Sequence, residues 1–152
     1  MDSNAIKAAI ANVIRSVPEV GNVLENDIHV NRDAELKAAY VVSDRVNAWV
    51  IRRSSYHRSV GRAGYVEEIT EFNITGYLSH SGGTEAEIDT IVNDIFAAFD
   101  ADTNLSGAVL TTIVSGDLGP QLTSVTRWML CGKLCDKAEI RLRVKTDSQI
   151  EE

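Results

Sequence analysis

The sequence predicts an α+β fold: a mainly antiparallel sheet of about five strands, with a long amphipathic helix and an N-terminal helix packed on one face. Three observations lead there. Ile88, Ile91, Val92, Ile95, Phe96 and Phe99 recur at helical spacing. Residues 65–79 and 137–146 alternate apolar and polar with a period of two. The strand-like runs follow one another through short links, which favours antiparallel pairing. With 152 residues, 44% hydrophobic and 24% charged, the chain has the size and composition of one globular domain with a buried core. That domain is expected over 1–147, followed by a short acidic tail over 148–152.

The elements come in order. Ser3 can cap a first helix whose stripe is Ile6, Ala9, Ile10, Val13 and Val17. Pro18 ends it, because the residue before proline avoids the α region. Residues 19–27 read as a connection, 28–30 as a short strand and 33–40 as a second, shorter helix. The first clear strand is 46–55, centred on Trp49, Val50 and Ile51. Residues 54–64 are polar and basic with two glycines, the composition of a long exposed hairpin loop or a strand extension.

In the strand 65–79, Val66, Thr70, Phe72 and Ile74 share one face, and Glu67, Glu71, Asn73 and Thr75 the other. Glu68 and Ile69 break the alternation, which predicts a bulge there. Ser81-Gly82-Gly83 is a turn. Thr84 and Glu87 have capping-box spacing ahead of the long helix, and Glu85, Glu87 and Asp89 suit its dipole. Three strand-like runs end the chain, at 108–115, 122–131 and 137–146. In the last, Ile140, Leu142 and Val144 point inward, and Glu139, Arg141, Arg143 and Lys145 outward.

Charge is unevenly placed. The net charge is −7, which disfavours bulk binding to nucleic acid. Between Arg62 and Arg127 there are ten acids and no Lys or Arg. Just before them, Arg52, Arg53, His57, Arg58 and Arg62 form a run without an acid. Such asymmetry suits head-to-tail contact between copies; a solvated surface is the plainer explanation.

Catalytic and metal-binding patterns are not evident. Cys131 and Cys135 are not at zinc-knuckle spacing, and the histidines, His29, His57 and His80, lie elsewhere. Both cysteines are expected as free thiols. There is no nucleophile elbow or phosphate-binding loop. Ser81 to Thr84 precedes a helix N-terminus but lacks the lysine of a phosphate loop. Glu67 and Glu68 are strand neighbours pointing to opposite faces, so they do not converge on one substrate unless a bulge turns one. Trp49 and Trp128 lie in apolar runs, as core or interface anchors do. No cofactor, no metal and no enzymatic activity are expected. No apolar run reaches the length of a membrane span. Met1-Asp2-Ser3-Asn4 lacks the charge and apolar stretch of a signal peptide, so a cytoplasmic location is expected.

The arrangement resembles the tail terminator family of long-tailed phages, with related tail-completion and neck proteins. The residues that carry the likeness are the N-terminal helix Ile6-Lys7-Ala8-Ala9-Ile10, the strand Trp49-Val50-Ile51-Arg52-Arg53 with its basic loop, and the strand Glu71-Phe72-Asn73-Ile74-Thr75-Gly76-Tyr77. The helix from Ile88 to Phe99 and the closing strand Ile140-Arg141-Leu142-Arg143-Val144 complete it. This is a pattern of elements, without a short diagnostic motif. The resemblance implies a homo-oligomeric ring, often hexameric, that caps the tail tube protein, faces the head–tail connector and lets DNA pass through its lumen. It implies no catalytic residue and a place in the virion. Arg52, Arg53, Arg58 and Arg62 would face the lumen or the next subunit, and Glu85, Glu87 and Asp89 would receive them. Two other readings compete: an adaptor for one non-self partner, marked by a large exposed apolar patch, and a small ligand-binding domain or enzyme, marked by polar groups converging in a deep cleft.

Overall fold

The computed structural model describes residues 2–26, 33–43, 45–61, 64–79 and 86–149. In chain order the elements are α1 (Ser3–Arg15), β1 (Asn22–Leu24), α2 (Asp33–Tyr40), β2 (Val41–Val42), β3 (Arg45–Val60) and β4 (Tyr65–Ser79). Then come α3 (Ala86–Asp100), a 3-10 turn (Leu105–Gly107), β5 (Ile113–Val114), β6 (Asp117–Leu118), β7 (Gln121–Leu130) and β8 (Lys133–Gln149). The main sheet runs β1-β3-β4-β8-β7, with β2 also pairing to β3. β1 lies parallel to β3 and the other pairings are antiparallel.

This corrects the expected α+β class with about five strands and a long packed helix. The protein is mostly β, 52% strand and 27% helix, with a mixed six-stranded sheet and three helices among the described residues. The excess of strand has a physical origin. Residues 52–60 are exposed on both faces, so they carry no apolar alternation, yet they pair with β4 as far as Val60. β8 likewise starts at Lys133, directly after a two-residue turn, and runs to Gln149 opposite Tyr65.

The core has two parts. On one sheet face, α1 and α3 pack over Trp49, Ile51, Phe72, Ile74, Ile140 and Leu142. On the other, Tyr40, Val46, Ala48, Val50 and Cys135 form a smaller cluster, with Tyr40 edge-on to Tyr77 at 5.8 Å. β3 is thus covered on both faces from Ala48 to Ile51, which accounts for its apolar run there.

Local details differ from the expectations. The cap of α1 is Asp2, whose Oδ1 accepts from the Asn4 and Ala5 amides at 3.0 and 3.2 Å; Ser3 is the first helical residue. Ile6, Ile10, Val13 and Val17 are buried as predicted, and Ile14 joins them. The predicted strand 28–30 and the turn Ser81 to Thr84 lie outside the described residues. Glu68 and Ile69 keep their register with both neighbours. The irregularity is on β3, between Arg53 and Ser55. Of the expected strand 108–115, Ile113 and Val114 form a small hairpin with β6, and Thr111 makes an isolated bridge to Lys145 of β8.

Candidate assembly surface

Beyond Ile51, β3 runs on as an exposed arm at the edge of the sheet, beside β4, which stays paired to β8. β1 pairs with β3 only from Ala48 to Val50. Among the described residues no strand pairs with the outer edge of β3 after that, so its backbone groups are available to a partner. Every residue from Arg52 to Val60 is exposed.

The register shift sets which side chains share a face. Arg52 is opposite Asn73 and Arg53 opposite Phe72; after the shift Tyr56 is opposite Thr70 and Arg58 opposite Glu68. Cross-strand partners point the same way. Arg53, Tyr56 and Arg58 therefore lie on the helix side of the sheet with Phe72, and Arg52 and His57 on the other side. Without the shift, alternation would have put Arg53 and Arg58 on opposite faces. The Arg53 guanidinium is 6.0 Å from the centre of the Tyr56 ring. Tyr56 donates its hydroxyl to Glu68 Oε2 at 2.6 Å, and Glu68 is almost wholly buried. That hydrogen bond to a carboxylate raises the Tyr56 pKa above its ordinary value, with burial as the next cause.

The acid-only stretch is not one surface. On the sheet face without α1 and α3, Glu71 meets Arg143 at 3.3 Å and Arg141 at 3.9 Å. Asp117 meets Arg141 at 3.0 Å, and Glu67 meets Lys145 at 3.3 Å. These acids are balanced by β8, whose cations come later in the sequence. Of the acids expected to receive the arginines, Glu85 lies outside the described residues, as does Arg62 on the basic side. Glu87 is engaged by Arg45, with Nη1 to Oε1 at 2.5 Å and Nη2 to Oε2 at 2.6 Å. Asp89 is exposed on α3, and so is Asp100, which sequence reasoning did not single out.

A second exposed surface was missed. β7 is a sheet edge with exposed apolar side chains on both faces: Val125 and Met129, with Leu134 of β8, on the helix side, and Trp128 on the other. Trp128 is half exposed and carries the Lys137 Nζ 4.5 Å from its ring, whereas Trp49 is fully buried.

Concave features are modest. A cleft of about 610 Å³ is lined by Gly61, Tyr65, Glu67, Leu110, Lys145 and Asp147. Its ammonium and one of its carboxylates neutralise each other in the Glu67–Lys145 pair. Among the described residues, no three His, Cys, Asp or Glu side chains gather as a metal site. No protein-family model matches the chain, and no curated protein matches it.

Proposed function

We propose that this chain is a structural subunit of a long-tailed phage virion. It forms a ring that caps the tail tube, joins it to the head-side connector and lets DNA pass through the lumen. The observation that carries the reading is the arm: a long exposed strand with an open edge and three described arginines, Arg52, Arg53 and Arg58. Open edges and clustered guanidinium groups are features that assembly partners cover. The likeness of element order to tail terminators supplies the kind of assembly.

Electron microscopy of the concentrated protein tests this. Annular particles with an open centre support the ring. Multimers that are compact and without a lumen reject it.

A second reading, an adaptor for a non-self partner, is favoured by the apolar edge of β7 with Trp128, Met129 and Leu134 exposed. It requires a stable monomer.

A further inference from the structure

We infer that the uncovered column of β3, Arg53, Tyr56 and Arg58, is the seat for helix α3 of a second copy of this chain, which offers Asp89 and Asp100. The inference rests on the subunit reading and names the contact that would build it.

The seat is a step in the protein's own surface. On the helix side, Trp49 and Ile51 of β3 are buried beneath α1 and α3, and Thr70, Glu68 and Val144 on the neighbouring strands stay buried further along. Along this outer half, among the described residues, that face opens on β3, at Arg53, Tyr56, Arg58 and Val60. The opening is one strand wide, bordered by the open sheet edge, and a helix laid along it would continue the helical layer.

Charge selects the occupant. α3 carries no Lys or Arg. Its outer stripe, Asp89, Asn93, Ala97 and Asp100, is exposed at helical spacing. Glu87, which flanks the stripe, is held by Arg45, so the acids on the stripe itself are the acceptors. Spacing agrees. Arg53 and Arg58 face Phe72 and Glu68, four residues apart on β4, which is about 13 Å. Asp89 and Asp100 are eleven residues apart, about 16 Å along the helix axis. Arginine side chains span that difference, and Ala97 leaves room for the Tyr56 ring between them. Because the two surfaces differ, the contact is heterologous, the type that closes rings. Duplex DNA is the weaker candidate for the arm, since the net charge of −7 opposes it.

Sedimentation equilibrium at low salt tests the seat on the wild type, an arm variant (Arg53→Glu with Arg58→Glu), a helix variant (Asp89→Arg with Asp100→Arg) and an equimolar mixture of the two variants. Each variant alone should associate at least about a hundredfold more weakly than the wild type, because like charges then face each other. The mixture should recover association, because the reversed arm of one meets the reversed helix of the other. All four side chains are exposed, and unchanged circular dichroism and melting show that both variants fold. Variants that assemble like the wild type overturn the seat and leave the ring reading standing. A wild type that never assembles overturns both. An arm variant that assembles normally and loses only binding to duplex DNA overturns the seat in favour of a nucleic-acid contact.

Discussion

Arg45, at the start of β3, grips Glu87 in the first turn of α3 through two parallel hydrogen bonds, and the same guanidinium donates from Nε and Nη2 to the Ser79 carbonyl at 3.0 Å. One side chain thereby ties the beginning of β3, the end of β4 and the beginning of α3. The carboxylate raises the Arg45 pKa, mainly through the hydrogen bond. Both partners are partly exposed, so the pair is worth about 1 kcal/mol. Glu87→Gln should lower stability by about that amount in urea unfolding and leave assembly intact. Asp89→Arg should do the reverse, sparing stability and weakening assembly.

Gly76 is directly opposite Trp49 across β3 and β4. A Cβ built on Gly76 would lie 2.3 Å from Trp49 Cζ3. Trp49 is fully buried in the main core, so neither side can give way cheaply. Gly76→Ala should destabilise by about 1–3 kcal/mol or more, as overpacking does. Thermal unfolding followed by circular dichroism would show the lowered Tm.

Tyr56 and Glu68 make a titration prediction. The hydrogen bond favours the neutral phenol, so the folded pKa is raised. Its contribution to stability is therefore complete below the usual tyrosine range and is lost as pH rises through the raised value. Ultraviolet titration should show one tyrosine ionising late, and Tyr56→Phe should remove that signal. Glu68→Gln should return it towards normal.

The two thiols should differ in reactivity. Cys135 is buried, and burial pushes its pKa up. Cys131 is half-exposed at the β7–β8 turn. Brief alkylation at mildly alkaline pH should add one label per chain, at Cys131, and a second only on unfolding. Mass spectrometry of the digest locates it.

The parts of the fold legible in the sequence are those where one face is buried. The alternation in β4 and β8 marked their inward residues, Phe72, Ile74, Ile140, Leu142 and Val144, because water on one side and core on the other impose a period of two. The stripe of α3 was legible for the same reason. β3 was legible as far as residue 55, but over 54–64 a loop and a strand extension stayed open, since a strand wet on both faces selects no pattern; the pairing that decides for strand, as far as Val60, comes from β4. The link between β7 and β8 was expected at 131–136, and only its tightness was hidden: Cys131 and Gly132 alone make the turn, both at positive φ, 54° and 73°, and cysteine is not a residue that announces a two-residue turn. For the candidate surface, the basic run was visible as composition. The shift after Arg53, which places Arg53 and Arg58 on one face, and the capture of Glu87 by Arg45 depend on tertiary structure.

Self-assembly through opposed charges can be read from light scattering coupled to size exclusion, over a range of protein and salt concentrations. One discrete ring-sized species of roughly five to seven subunits is expected at low salt, dissociating as salt screens the contact. A strict monomer at every protein and salt concentration would contradict it and favour the adaptor.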